Sequence, residues 1–173
     1  MADTCRTEYK TPEGFTNLIL NSDGEYVTEV RFKTLGECID DRGSMDVLAL
    51  AAASRWLDSY FSGNPMEELP PIKIHGLTPF RKDVLQIIQQ IPYGEEITYK
   101  DIAQEIANKG GIKHMSAQAV GQAVGWNPIC IIIPCHRVMG SDGSLTGYSG
   151  GLENKMRLLI HEQESKSRLL IYK

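Results

Sequence analysis

The sequence predicts an α+β protein in which a small α/β domain, residues 1–76, precedes a helical domain, residues 77–173. Three observations lead to this prediction. A hairpin pattern and then a long amphipathic helix fill the first half. Helical segments separated by glycine and proline fill the second half. Between them, two adjacent prolines and a short apolar run ending at Gly76 mark a linker.

In the first half, residues 14–33 predict a β-hairpin. Two runs rich in β-branched and aromatic residues flank the turn sequence Asn-Ser-Asp-Gly at 21–24. Residues 45–61 predict a helix because apolar side chains recur there at roughly helical spacing. The Gly-Asn-Pro sequence at 63–65 ends that helix, and 72–75 is expected to be a short strand-like segment.

The second half opens with a clear helix signal, because Thr78 is a plausible N-cap and Pro79 fits the first helical position. Two further helices are expected at about 99–107 and 116–125, joined by a turn that contains Gly110 and Gly111. Such a pair is typical of a helix-turn-helix, although this turn is longer than usual. A strand is expected at 131–133. A last helix is expected from about Gly151, with a packed face formed by Leu152, Met156, Leu159 and Ile160.

The helix at 116–125 is unusual because small residues occupy alternate positions along it. Small side chains let another backbone come close, either a packed helix or a nucleic-acid groove. Gln118 and Gln122 lie four residues apart and so share a face. Those two glutamines either donate to phosphates and base edges or are simply solvated, and the sequence leaves both readings open.

Composition indicates an ordinary globular chain, with 173 residues and a formal net charge of −4. Residues 1–76 carry 7 basic and 13 acidic side chains, whereas 77–173 carry 11 basic and 9 acidic ones. The second half is therefore better suited to meet a polyanion. No membrane span and no export signal are recognisable, and the four cysteines are too few for a disulfide scaffold. Reduced thiols and a cytoplasmic location are expected.

Chemistry concentrates where Cys135, His136 and Arg137 follow the apolar segment at 131–133. A thiolate is the nucleophilic form of cysteine, and a free thiol with a pKa of about 8.5 is mostly protonated at neutral pH. A neighbouring histidine can take that proton. Side chains adjacent on an extended strand point to opposite faces, so an inert buried cysteine beside a surface histidine is the competing interpretation.

Three motifs carry a family resemblance: Asn127-Pro128, the pentapeptide PCHRV at 134–138, and GYSGGL at 147–152. Together they resemble the O6-methylguanine-DNA methyltransferase family, over about 78–162. The resemblance implies a ribonuclease H-like first domain and a winged-helix-like second domain. It also implies DNA repair by direct, irreversible, single-turnover transfer of the O6-alkyl group from guanine to a cysteine. The expected partner is double-stranded DNA containing O6-alkylguanine. The protein is expected to be a monomer, and no cofactor, metal or membrane is expected.

The resemblance also implies roles for the residues that would react. Cys135 is the alkyl acceptor, and His136, acting through a water molecule, takes its proton. Glu162 polarises that histidine, and Asn127 orients the network. Because the methylated base lies inside a duplex it must be flipped out. Tyr99 then lines its pocket and donates a proton toward the leaving purine.

Further residues are implied to bind the base or the DNA. Tyr148 and Ser149 belong to a loop that closes over the base, the carbonyl of Val138 meets its exocyclic amine, and Lys155 matches a site lysine. The expected DNA contacts are Ala117, Gln118, Gln122 and Arg137. At the position of Gln118 many members carry an arginine that enters the base stack. Glutamine is shorter and uncharged, which affects binding strength and base flipping rather than the chemistry.

Other classes remain to be distinguished. A non-catalytic lesion sensor of the same family carries tryptophan in place of the acceptor, which Cys135 argues against. A winged-helix regulator explains the helix pair but not the Cys-His motif. A cysteine hydrolase turns over, whereas an alkyl acceptor stops after one event. A zinc site formed by Cys5, Cys38 and His75 lacks the usual ligand spacing, so no metal is expected.

Overall fold

The computed structural model describes residues 5–39 and 47–171, which form two compact units. The first unit holds the described residues up to His75 together with 128–132 and 164–171, and the second holds 76–127 and 133–163. The α+β class is confirmed, since a three-stranded antiparallel sheet lies in one unit and mainly helices in the other. The division into one domain over residues 1–76 and a second over 77–173 stays a prediction.

The sheet of the first unit has the order β1 (Cys5–Tyr9), β2 (Leu18–Ser22), β3 (Val27–Phe32), with both pairs antiparallel. The predicted hairpin is confirmed as β2 and β3. Gly24 in its turn has a φ of 100°, a value that glycine adopts without strain. Strand β1 was not predicted, because its sequence CRTEY is largely polar.

One helix, α1 (Leu48–Phe61), packs against β2 and β3. Its predicted start at Met45 lies outside the described residues. Ile72 pairs with Val27 and Ile129 pairs with Val30, each through an isolated parallel bridge. The helix buries the side chains of Ala49, Leu50, Ala53, Trp56, Leu57 and Tyr60.

The second unit is built on α2 (Pro79–Gln89), α3 (Tyr99–Gly110) and α4 (Ala117–Gly125), which pack against one another. The N-cap predicted at Thr78 is confirmed, because its side chain accepts a hydrogen bond from the backbone of Arg81. Apolar side chains fill the space between these helices. The fully buried side chains of this unit include Val84, Ile88, Ile102, Val120 and Leu158.

The ends of α3 and α4 explain why the turn between them is long. Thr98 and Asp101 form a capping box that starts α3. Gly111 ends it in the left-handed conformation at a φ of 62°. Helix α4 starts only at Ala117, after Ser116 has capped it through the backbone of Ala119. Residues 111–116 therefore form the connection, and nearly all of them are exposed.

A short parallel pair of strands aligns two distant parts of the second unit. Strand β4 (Ile97–Thr98) pairs with β5 (Val138–Met139), so that Ile97 lies opposite Val138. Residue Tyr99 directly follows β4, and the Cys-His-Arg segment directly precedes β5. The pairing thus fixes where both segments meet.

Two predictions of local structure are wrong. The strand expected at 131–133 is a turn, in which Ile131 has a φ of 68° and the amide of Ile132 donates to the carbonyl of Cys130 at 2.8 Å. An apolar run signals burial but does not distinguish a strand from a buried turn. The packed face predicted for α5 (Leu152–Ile171) is wrong at three of its four residues, because Leu152, Met156 and Ile160 are about half exposed, whereas Leu159 is buried. The buried side chains of that helix include Asn154, Lys155, Leu158, Leu159, Glu162 and Ser165.

Candidate active site

Cys135 begins a single 3-10 turn, Cys135–Arg137, and is only 2% exposed. The side-chain amide of Asn127 donates to its Sγ atom at 3.1 Å and to the carbonyl of Ile133 at 2.9 Å. Asn127 is itself buried just beyond the end of α4. A hydrogen-bond donor at the sulfur favours the thiolate over the thiol, since a charged acceptor makes the stronger bond.

His136 and Glu162 form a buried pair, with Nε2 and Oε1 2.7 Å apart. Burial alone would raise the pKa of Glu162, but hydrogen bonds from His136 and Arg137 outweigh it and bring that pKa to about 2. Burial, against the attraction of Glu162, lowers the pKa of His136 below 6.5. The resting pair is therefore a carboxylate and a neutral imidazole. Because a carboxylate only accepts, Nε2 carries the imidazole proton and Nδ1 is the basic nitrogen.

Arg137 does not lie where a DNA contact requires it. Its side chain is 8% exposed and forms an ion pair with Glu162, with Nε 2.9 Å from Oε2. The guanidinium also donates to the carbonyl of Ile91 at 2.7 Å. The expectation that Arg137 contacts DNA is corrected on this geometry. A basic residue next to a motif gives no sign in the sequence of facing inward.

Tyr99 and Lys155 converge on one carbonyl. The Tyr99 hydroxyl donates to the carbonyl of Thr146 at 2.9 Å, and the Lys155 ammonium donates to the same oxygen at 3.1 Å. Lys155 is fully buried and also donates to the carbonyl of Val138 at 2.6 Å. Burial raises the pKa of Tyr99, and a negative charge at Cys135 raises it further. Burial lowers the pKa of Lys155, which Cys135 opposes.

An open cavity of about 630 Å³ adjoins Tyr99. Three of the predicted DNA-contacting residues, Ala117, Gln118 and Gln122, line it and are exposed. A Cβ added to Gly121 would lie 3.8 Å from the Tyr99 ring, so the glycine lets the backbone of α4 lie close to that ring. The cavity walls also contain Lys100, Gly140, Ser141, Asp142, Thr146 and Gly147, and sequence reasoning assigned no role to Lys100 or Thr146.

The loop predicted to close over a base lies beside the histidine. The rings of Tyr148 and His136 meet edge to face with centroids 6.5 Å apart. Tyr148 is buried, whereas Ser149 is exposed. The buried carbonyl of Val138, expected to meet a base, accepts from Lys155. The structure thus gathers Tyr148 with Cys135, His136, Glu162 and Asn127 in a single unit.

Two backbone groups of the site were missed by sequence reasoning. The amide of Gly94 donates to Glu162 Oε2 at 2.8 Å, and the carbonyl of Ile91 accepts from Arg137. Both belong to a turn whose Pro-Tyr-Gly sequence signals only the end of a helix. Backbone partners leave no residue-type signal.

Residues 5–39 and 47–171 contain neither a metal-binding cluster nor a membrane-spanning helix. No group of three or more His, Cys, Asp or Glu there could hold a metal ion. No helix in those ranges is long and apolar enough to cross a membrane.

The fold and the site define a class of proteins in which a helical unit carries a buried cysteine beside a histidine–glutamate pair. The family model of the 6-O-methylguanine DNA methyltransferase DNA binding domain matches residues 79–164. A methylated-DNA–protein-cysteine methyltransferase of Haemophilus influenzae is 38% identical over 160 residues, which cover 91% of this chain and 85% of that protein. This chain belongs to the methylated-DNA–protein-cysteine methyltransferase family.

Further relatives agree with this assignment. A methyltransferase of the same name from Mycolicibacterium paratuberculosis is 44% identical over 115 residues, 66% of this chain and 66% of that protein. The crystal structure of Mycobacterium tuberculosis O6-methylguanine methyltransferase matches with a TM-score of 0.75 and 34% identity over 94% of both chains. The structure of the same organism's OGT in complex with DNA matches with a TM-score of 0.75 and 34% identity, over 92% of this chain and 93% of that chain.

Proposed function

We propose that this protein repairs DNA by moving the alkyl group of O6-alkylguanine onto Cys135. The observation that supports this most directly is the buried Cys135 sulfur with its Asn127 donor, in the same turn as a neutral His136 bound to Glu162. The related structure in complex with DNA supports a nucleic-acid partner. The exposed face of α4 along the cavity is the surface we assign to that partner.

The reaction is a displacement at saturated carbon. His136, acting through a water molecule, takes the proton of the Cys135 thiol, and the thiolate attacks the carbon attached to O6. The S–C bond forms as the C–O6 bond breaks, and its electron pair leaves with the purine. A proton delivered through Tyr99 neutralises the departing guanine, so that the proton lost by sulfur is balanced by the one gained by the base. The thioether that remains has no route back, which makes the protein a single-use acceptor.

Binding of the base is assigned to the pocket around Tyr99. The exposed Ser149 and the buried Tyr148 belong to the loop that covers the base. Lys155 holds the carbonyls of Val138 and Thr146, and so fixes two walls that the base would meet. Gln118 and Gln122 lie on the cavity face of α4. There they would contact the DNA backbone and the space that the flipped base leaves in the stack.

Intact mass after incubation with duplex DNA containing O6-methylguanine tests the proposal. We expect a gain of one methyl group per protein, localised to the peptide that contains Cys135. Cys135→Ser should show no gain, while Cys38→Ser, at an exposed cysteine of the other unit, should behave as the wild type. Continued turnover beyond one event per molecule, or label on another cysteine, would contradict the proposal.

A further inference from the structure

Arg137 is buried, and its guanidinium is held by hydrogen bonds to Glu162 and to the carbonyl of Ile91. Its Nε atom donates to both carboxylate oxygens of Glu162, at 2.9 and 3.2 Å, and its Nη2 donates to Oε1 at 3.0 Å. Its remaining terminal nitrogen donates to the carbonyl of Ile91 at 2.7 Å. A planar guanidinium that is bound along two edges leaves Glu162 little freedom to rotate.

The carboxylate it holds is also fixed from another side. The amide of Gly94 donates to Oε2 at 2.8 Å, and the side chain of Gln163 donates to the carbonyl of Gly94 at 3.0 Å. These bonds leave Oε1 directed at Nε2 of His136, 2.7 Å away. The orientation of the carboxylate therefore decides which imidazole nitrogen bears the proton.

Charge adds a second effect. Arg137 and Glu162 together carry no net charge, so the carboxylate can be buried without a proton on His136. Without the guanidinium, the buried carboxylate would be an unbalanced charge, whose cost a protonated imidazole would relieve. Lys155 on α5 is a further charged group that acts on His136, Cys135 precedes His136 in the same turn, and the Tyr148 ring packs on the imidazole.

We infer that Arg137 is a positioning residue for the reaction: it orients Glu162 and balances its charge, and so keeps His136 neutral with its proton on Nε2. This inference rests on the proposed function only for its link to rate. His136 takes the thiol proton through Nδ1, and a ring that already holds two protons cannot do so.

Nitrogen-15 NMR of protein labelled in its histidine rings tests the inference without any substrate. In the wild type we expect the His136 signals of a neutral ring with the proton on Nε2 down to pH 6.5 and below. In Arg137→Met the titration midpoint should rise by at least one pH unit, a tenfold gain in proton affinity. Arg157→Met, at an exposed arginine paired with Glu153, should leave the His136 signals unchanged.

The rate of alkylation by the free base O6-benzylguanine gives the second readout. At pH 7 we expect Arg137→Met to react several-fold more slowly, because part of His136 is then protonated, and to recover as the pH rises past the new midpoint. Arg137→Lys keeps the charge but not the planar fork, so it should restore the midpoint more fully than the rate. If Arg137→Met does not fold, Arg137→Lys carries the test through its slowed rate at an unchanged midpoint.

Two results would overturn the inference. One is a folded Arg137→Met whose His136 midpoint and proton position match the wild type, and the other is an Arg137→Lys that reacts at the wild-type rate. Loss of methyl transfer to Cys135 in the wild type would instead contradict the proposed function. Because the titration needs no transfer, the two failures are distinguishable.

Discussion

The side-chain amide of Asn127 lies 3.1 Å from the sulfur of Cys135 and donates a hydrogen bond to it. The same amide donates to the carbonyl of Ile133, which fixes its direction. Asn127 comes just after α4, the helix that lines the cavity. The segment that follows the cavity wall thus also supplies the polar partner of the cysteine.

We expect Asn127→Ala to slow alkylation of Cys135 about 10- to 100-fold, because a hydrogen bond to a charged group contributes about 1.5–3 kcal/mol. Asn127→Asp should be slower still, since a carboxylate beside the sulfur disfavours the thiolate. The measurement is the second-order rate constant with free O6-benzylguanine. Asn108→Ala, at an exposed asparagine of α3, is the control and should react normally. A wild-type rate in Asn127→Ala would show that the bond to sulfur is incidental.

The buried carboxylate should make stability depend on acid. Glu162 has a pKa of about 2 in the folded protein against 4.5 as the reference value. Its contribution is fully present above pH 4.5 and is lost as the pH falls toward 2, to a total of at most about 3 kcal/mol. Folding also lowers the pKa of His136. The free energy of unfolding therefore falls further as the pH drops below about 6.5, because the unfolded chain then binds a proton that the folded protein does not.

Urea unfolding at a series of pH values measures this loss. Glu162→Gln should be less stable than the wild type at pH 7, because Arg137 is left buried without its counter-ion. Its stability should then vary less between pH 5 and pH 3. Glu153→Gln, at an exposed partner of Arg157, should keep the wild-type dependence. Parallel curves for the wild type and Glu162→Gln would remove Glu162 as the source.

Some parts of the structure could be predicted from the sequence and others could not, depending on the kind of residue pattern each part leaves. Three motifs predicted the residues that would react, and the cap predicted at Thr78 located the start of α2. The strand expected at 131–133 failed because a β-branched residue such as Ile131 rarely adopts a positive φ, and only tertiary packing imposes it there.

The prediction of the buried face of α5 missed its charged residues for a different reason. Lys155 and Glu162 are among its least exposed side chains, although both are charged. Their burial is compensated by backbone carbonyls for Lys155 and by His136, Arg137 and the Gly94 amide for Glu162. Hydrophobic periodicity cannot detect such compensation, since it weighs each residue without its partners.

Binding to DNA should depend only weakly on salt. Arg137 is paired with Glu162, and Lys109 is paired with Glu105. We assign phosphate contacts to Lys100, which lines the cavity, and to Lys113, in the connection between α3 and α4. The slope of log affinity against log salt should then be about −2. Lys113→Ala should reduce its magnitude by about 0.9, and Lys73→Ala in the other unit should not. A slope of about −6 in the wild type would show that a larger basic surface takes part.

The last prediction concerns Gln118, which is exposed on α4 and lines the cavity. Flipping a base out of a duplex costs a few kcal/mol of unstacking and unpairing. A side chain that fills the vacated stack offsets part of that cost, and an arginine stacks and attracts phosphate where a glutamine does neither. Gln118→Arg should therefore speed repair of O6-methylguanine in duplex DNA more than reaction with free O6-benzylguanine, which needs no flipping.

The ratio of the two second-order rate constants separates DNA binding and base flipping from the chemistry, because any change in the reaction at Cys135 cancels from it. We expect that ratio to rise several-fold in Gln118→Arg. Gln104→Arg adds the same charge at an exposed position of α3 outside the cavity lining, so it reports general attraction to DNA. An equal rise in both variants would assign the gain to charge alone. An unchanged ratio in Gln118→Arg would mean that another residue of α4 occupies the stack.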